Sequence, residues 1–257
     1  VDEHIKDWFK LIVKAKPEER ERVDVLMRQL PYIKFRESLD KVKRDIVYSI
    51  CQYGFADVWE WGAKVGGNAW RTTGDIGIKY ETISSIGFSQ NGLEKYASPG
   101  HWNDPDMLEI GNGNLTPDQQ YTHMSLWALL ASPLMIGCDM TKMSPLALSI
   151  LSNDEVLDVN QDPLGKQARR VSQVVFREVW AKDMEDGSKA VGLFNTDKVI
   201  NTPCKVTASW SDLGLTGPQV VRDLWRQKDL GTFDGKFTAN VPANGVVLVK
   251  IRPAGAK

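Results

Sequence analysis

The chain has 257 residues, 42% of them hydrophobic and 25% charged, with a formal net charge of −1. That is enough for one large domain or two of moderate size, each with a core of its own. The near-neutral balance excludes a basic nucleic-acid surface and an electrostatic membrane anchor, and no stretch approaches the roughly eighteen apolar residues of a membrane-spanning helix.

Residues 1–44 are rich in charged side chains. His4 to Lys14 and Glu18 to Leu30 read as amphipathic helices; in the second, Val23, Leu26, Met27 and Leu30 fall at helical spacing, and Pro17 suits its first turn. From 45 to 167, short apolar runs alternate with helix-like stretches. Asp45 to Cys51 is predicted as a strand buried on both faces. Ala56 to Lys64 is predicted as a short helix, Ala69 to Arg71 as a strand, and Tyr80 to Ile86 as a helix. Asp106 to Ile110 and Leu134 to Cys138 read as strands, Pro117 to Leu130 and Pro145 to Leu151 as helices. Four β-then-α units in a row imply parallel strands with helical crossovers, half of the eight in a (β/α)8 barrel. From 168 to 257 the texture is strands only: Val174 to Trp180, Lys189 to Asn195 and Val246 to Ile251 are short β runs, with turns at Glu185 to Ser188 and Asp234-Gly235. This part is predicted as an antiparallel β-sandwich.

Cys51, Cys138 and Cys204 lack any metal-binding spacing and are read as buried small apolar residues. Asp104, Asp106 and Asp139 follow no EF-hand pattern, and Gly111-Asn112-Gly113 lacks the ending of a phosphate loop, so neither a metal nor a cofactor is expected. Nine tryptophans fit a protein that stacks sugar rings on aromatic faces, although most are expected in cores. A parallel barrel gathers its functional side chains at the carboxyl ends of the strands. Those positions hold Cys51, Gln52 and Tyr53, then Trp70, Arg71 and Asp75, then Trp102, Asn103, Asp104 and Asp106, and finally Asp139. Carboxylates, an arginine and tryptophan suit a neutral polyhydroxylated ligand, and glycoside hydrolysis needs two carboxyls about the scissile bond. An Asp after a strand is also a common turn-former or helix cap, so position alone does not single one out.

Ser49-Ile50-Cys51-Gln52-Tyr53-Gly54, Trp70-Arg71-Thr72-Thr73-Gly74-Asp75 and Pro99 through Gly111, with its Trp102-Asn103-Asp104-Pro105-Asp106 core, resemble successive motifs of the family-27 glycoside hydrolases. Ser132 through Asp139 and Val159 through Gly165 follow in the same order. This family contains α-galactosidases and α-N-acetylgalactosaminidases. The resemblance implies an α/β fold comprising about strands 5–8 of a (β/α)8 TIM barrel (residues 1–167), followed by an antiparallel β-sandwich (residues 168–257). It implies retaining, exo-acting hydrolysis of a terminal α-D-galactosyl residue. Asp75 would be the general acid/base; Arg71, Asp106, Cys51 and Gln52 would bind substrate, with Trp102 and Asp104 shaping the pocket.

Two departures qualify this. The family's nucleophile lies in a Lys-Tyr-Asp motif at the end of the fourth strand, and no such motif occurs in these 257 residues. An N-terminal half-barrel chain or segment carrying it is therefore expected as a partner, with the chain alone inactive. Where many α-galactosidases read Cys-Glu-Trp, this sequence has Cys51-Gln52-Tyr53, which leaves N-acetylgalactosamine, β-L-arabinopyranose and isomalto-type glucans as alternatives to galactose. A non-catalytic sugar-binding module and a structural chain of a larger assembly are the rival readings. No nucleic-acid or membrane partner is expected, and a homo-oligomer is allowed. A secreted or periplasmic location is expected, with any signal peptide outside this chain.

Overall fold

The computed structural model describes residues 17–197 and 202–255, with side chains from residue 28 onward; the helix predicted over His4 to Lys14 lies outside them. Helix α1 (Pro17–Leu39) runs past the predicted end at Leu30 and through Pro31. A proline inside a helix costs about 3 kcal/mol. Packing offsets it: Tyr32, Ile33 and Leu39, all at or beyond the proline, sit against a core of Tyr48, Ile50, Val58, Trp61, Val65 and Trp70.

Three parallel strands follow: β1 (Ser49–Ile50), β2 (Ala69–Arg71) and β3 (Trp102–Asp104), in the order β1-β2-β3. Between them lie the single-turn α2 (Val58–Trp61) and α3 (Tyr80–Phe88); α4 (Pro117–Leu129), α5 (Pro145–Leu151) and α6 (Asp154–Asn160) come after. Local chemistry fixes several starts. Thr116 and Gln119 form a reciprocal capping box ahead of Pro117, and Ser144 and Asn153 cap α5 and α6 through their side chains.

Several expectations are corrected. The strand predicted over Asp45 to Cys51 shrinks to Ser49–Ile50 and alternates: Tyr48 and Ile50 are buried beneath α1, whereas Val47, Ser49 and Cys51 are exposed. In β1 only one face is covered among the described residues, whereas β2 and β3 bury consecutive residues on both faces. The helix predicted over Ala56 to Lys64 is broken into short turns because Ala56 and Asp57 have left-handed backbones. The third strand lies at Trp102–Asp104 rather than Asp106 to Ile110. Pro105 brings no N–H to a ladder and Asp106 turns left-handed (φ 85°), so only a parallel bridge from Leu108 to Ile136 remains of the two predicted strands.

The rest is antiparallel. A six-stranded sheet has the order β4-β5-β6-β11-β8-β9, formed by Arg169–Val174, Arg177–Asp183, Lys189–Asn195, Val246–Pro253, Gln219–Asp223 and Lys228–Phe233. A two-stranded sheet pairs β7 (Cys204–Ser209) with β10 (Lys236–Val241), and the short α7 (Trp210–Leu213) follows β7. The run predicted as one strand from Val174 to Trp180 is a hairpin, turning at the left-handed Val175. Alternation gives the large sheet two apolar faces. Val179, Ala181, Val191, Leu193, Val249 and Ile251 meet Val206, Phe237 and Val241 of the small sheet. Trp180, Ala190, Phe194 and Leu248 join Ile83, Met124 and Trp127 of α3 and α4. The sandwich and helices α3 and α4 therefore share a core, while Ile50 and Trp70 of the parallel strands belong to the one under α1. No helix among the described residues is long and apolar enough to cross a membrane.

Candidate active site

β2 ends at Arg71, and the chain turns through Thr72 to Gly74 before presenting Asp75. Arg71 Nη2 lies 2.6 Å from Asp106 Oδ2, 3.2 Å from Asp75 Oδ1 and 3.4 Å from the Thr73 carbonyl oxygen. Its Nε is buried without a partner.

The carboxylates divide sharply by what they hold. Asp106 Oδ2 also accepts the Ile76 N–H at 2.8 Å, and its Oδ1 accepts the Met107 N–H at 2.8 Å. Its carbonyl takes the indole N–H of Trp127, and its own N–H donates to Asp104 Oδ1. A left-handed backbone at a residue so tethered is strain held by its surroundings, of about 1–3 kcal/mol. Asp106 thus joins the end of β3, Arg71 and the residue following Asp75. Asp104 is buried; burial pushes its carboxyl up, against the pull of the Asp106 N–H and Arg71. Asp139 stands apart and caps the turn at Met140–Lys142, accepting from the Thr141 N–H and hydroxyl, which hold its carboxyl below the usual range. Asp75 is 74% exposed, more than Asp139 at 53%, and pairs with the Arg71 guanidinium rather than capping a turn.

The loop after β1 closes the other side. Tyr53, Gly54, Ala56 and Asp57 all have positive φ. The Gly54 N–H donates to the Arg71 carbonyl, and its Cα lies so close to the Thr72 carbonyl that an added Cβ would come within 2.2 Å of the oxygen. Gly54→Ala should therefore push this loop off β2 and lower kcat/KM of the complete protein about a hundredfold, the scale of a misplacement near 1 Å. Unchanged kinetics in a folded variant would show that the close approach does not matter.

Cys51 is exposed, Cys138 and Cys204 are half-buried, and all three are free thiols, which corrects the reading of three buried cysteines. The Cys51 thiol, and then the Asp75 charge, push the Tyr53 phenol up, so Tyr53 is neutral beside Asp75. The Tyr53 ring lies 5.9 Å from the Arg71 guanidinium carbon. Gln52 turns instead toward α1, where its Oε1 accepts the Tyr32 hydroxyl.

Trp102 is not part of the cluster. In register it pairs with Ala69 at the start of β2, two residues before Arg71, and its ring lies over Gly165 and near Pro99. There it lines a cavity of about 390 Å³ with Val47, Leu134 and Pro163. Asp104, two residues later, pairs with Arg71. Beneath the site, Asn103 accepts from the Trp70 indole and donates to Leu93 O and Gln167 Oε1, while Thr72 donates to Gln90. This buried network fixes β2 against β3. Among the described residues no group of three or more His, Cys, Asp or Glu is placed to hold a metal ion.

Sequence reasoning missed Tyr32, the Ile76 N–H and Trp127. Backbone donors carry no sequence signal. Tyr32 and Gln52 meet across twenty residues, a contact that no local pattern encodes.

Arginine and carboxylates thus stand together at the carboxyl ends of parallel strands, backed by helices and an antiparallel sandwich. Residues 18–162 match the family described as alpha galactosidase A, and residues 176–251 match the alpha galactosidase C-terminal beta sandwich domain. The chain belongs to this family, the family-27 glycoside hydrolases. It is 40% identical to Alpha-galactosidase 3 of Arabidopsis thaliana over 228 residues (86% of this chain, 51% of that protein). It is 41% identical to the alpha-galactosidase of Cyamopsis tetragonoloba over 212 residues, with 82% and 51% coverage. Among solved structures, alpha-galactosidase I of Mortierella vinacea superposes with a TM-score of 0.81 at 29% identity, covering 88% of this chain and 63% of that one. A family-27 β-L-arabinopyranosidase from Geobacillus stearothermophilus gives 0.80 at 29% identity, covering 89% and 55%. The chain spans about half the length of the curated relatives it matches.

Proposed function

We propose that this chain carries the acid/base half of a retaining exo-α-glycosidase that removes terminal α-D-galactosyl residues. The observation that carries this is the state of the carboxylates. Asp106 has its oxygens engaged by two backbone N–H groups and Arg71, Asp104 is buried, and Asp139 is spent on a cap. Asp75 alone of the four is exposed beside a buried arginine. In this reading Asp75 protonates the glycosidic oxygen as the bond to the leaving group breaks, then takes a proton from the water that releases the sugar. Arg71 donates to a sugar hydroxyl through its guanidinium. Asp106 acts through Arg71 and the Asp75 loop, holding both.

A retaining mechanism needs a second carboxylate about 5–5.5 Å from the first. Engaged as they are, Asp104 and Asp106 are poor nucleophiles, and the chain has no Lys-Tyr-Asp motif. The nucleophile is assigned to a further half-barrel segment that would cover the exposed residues flanking the parallel strands, among them Val47, Tyr53 and Met107. The lengths and names of the curated relatives support both the missing half and the galactoside. The likeness to the arabinopyranosidase favours β-L-arabinopyranosides as a second reading, because that sugar presents its ring hydroxyls as α-galactose does.

The test assays the chain alone and the complete protein on aryl α-galactoside, α-N-acetylgalactosaminide and β-L-arabinopyranoside, following the first-formed anomer by NMR. The expected result is release of α-galactose by the complete protein only. Release of β-galactose would exclude retention, full activity of the chain alone would exclude the two-part site, and a preference for the arabinopyranoside would install the second reading.

A further inference from the structure

We propose that Tyr53 is a positioning residue for Arg71, its ring holding the guanidinium where it serves Asp75 and a bound sugar; this rests on the functional reading above. The acceptors around Arg71 all converge on Nη2: Asp106 at 2.6 Å, Asp75 at 3.2 Å and the Thr73 carbonyl at 3.4 Å. Nε has no partner, so hydrogen bonds hold the guanidinium from one end only. A planar cation gripped at one end pivots unless something lies against it. The Tyr53 ring does, with its centroid 5.9 Å from the guanidinium carbon, within the range of cation–π attraction.

The backbone is built to keep the ring there. Tyr53 has φ 55°, a conformation that a bulky residue rarely adopts. Contacts on both sides keep it from relaxing. Gly54 donates to the Arg71 carbonyl and packs on that of Thr72, Phe55 donates to the Gln52 carbonyl, and the Gln52 side chain accepts from Tyr32 of α1. Tyr32 in turn rests on Trp61, with ring centroids 5.3 Å apart. The helix layer thereby reaches the site through one strained residue. Because the phenol stays protonated, Tyr53 offers Arg71 a π face without a competing anion.

Two readouts test this in the complete protein. In the first, arginines are modified with phenylglyoxal and Arg71 is followed by peptide mapping. Tyr53→Leu should raise the Arg71 modification rate several-fold, and Tyr53→Phe, which restores the ring, should bring it back. This readout needs no turnover, so it stands apart from the functional reading, which Asp75→Asn tests on its own. In the second, Tyr53→Leu should lower kcat/KM for an α-galactoside roughly tenfold to thirtyfold, with Tyr53→Phe recovering to within about threefold. Introduced into Arg71→Ala, Tyr53→Leu should add little, because the two residues act as a unit. An Arg71 equally protected in Tyr53→Leu would overturn the proposal. So would a Tyr53→Leu loss that persists undiminished in the Arg71→Ala background, since Tyr53 would then act on the substrate directly.

Discussion

In the complete protein, Asp75→Asn should lower turnover of an unactivated α-galactoside about a thousandfold, within the range that general acid–base catalysis contributes. The loss should be much smaller for an aryl galactoside with a good leaving group, which needs little protonation to depart. Asp75 suits such a test because the fold asks almost nothing of it. Its carboxylate is 74% exposed and makes one ion pair of 3.2 Å, a kind of contact worth at most about 1 kcal/mol. The tight pair in this cluster is Arg71 with Asp106, with both side chains about nine-tenths buried, and Asp75→Asn leaves it in place. Thermal unfolding of the variant should therefore match the wild type. Replacing Asp106 would strip the Ile76 and Met107 N–H groups of their acceptor and Arg71 of its shortest one, so lost activity there would not separate chemistry from structure. Equal losses on activated and unactivated substrates in Asp75→Asn would argue against proton donation by this residue.

Acid should destabilise the protein through His123. The ring is fully buried on α4, edge-on to Trp127 with centroids 4.2 Å apart, and its Nε2 accepts the Glu109 N–H at 2.9 Å. Accepting there places the proton on Nδ1, which has no partner, and burial pushes the pKa from 6.5 down to about 3. Above about 6.5 the ring is neutral in both folded and unfolded chains and its contribution is complete. Below that, the unfolded chain takes up a proton that the folded one refuses, so stability drains away until the pH reaches about 3. Between pH 7 and pH 4 the loss is about 3 kcal/mol, a large share of a typical folding free energy. His123→Gln retains an acceptor for Glu109 without titrating. Comparing denaturant midpoints across this range should show a much flatter dependence in the variant. Parallel slopes for the two proteins would clear His123 of the effect. Because Glu109 lies three residues past Asp106, protonation also frees the segment that anchors the site.

The sequence was readable where a short segment decides its own structure. Ala69 to Arg71, the start of α3 at Tyr80 and the span Pro145–Leu151 follow from apolar patterning and caps, and the structure has them there. Lys228–Phe233 was missed because it is an edge strand of mostly exposed residues, Lys-Asp-Leu-Gly-Thr-Phe, with no apolar face to betray its period. Cys204–Ser209 and Lys236–Val241 pair with each other and bury only alternate residues, against the six-stranded sheet across the sandwich, so their place is set by tertiary contact. At the site, motif resemblance marked Arg71, Asp75 and Asp106, and the structure brings them together. It could not show that Asp106 faces inward upon backbone donors, because that depends on a left-handed residue after Pro105. Nor could it show that Trp102 and Asp104, two residues apart, lie at opposite ends of one strand.

The position of β11 has a bearing on how the molecule is made. Among the described strands it is synthesised after all the others, yet it lies inside the sheet, hydrogen-bonded to β6 on one side and β8 on the other. Until Val246–Pro253 leaves the ribosome, β6 and β8 have no common neighbour, and α3 and α4 lack Leu248 against their apolar sides. The nascent protein must wait with sticky surfaces uncovered until β11 slots between two strands that are already formed. Chaperone demand, and the damage done by a stop codon ahead of Val246, should therefore concentrate on this one strand, far along the chain from Asp75.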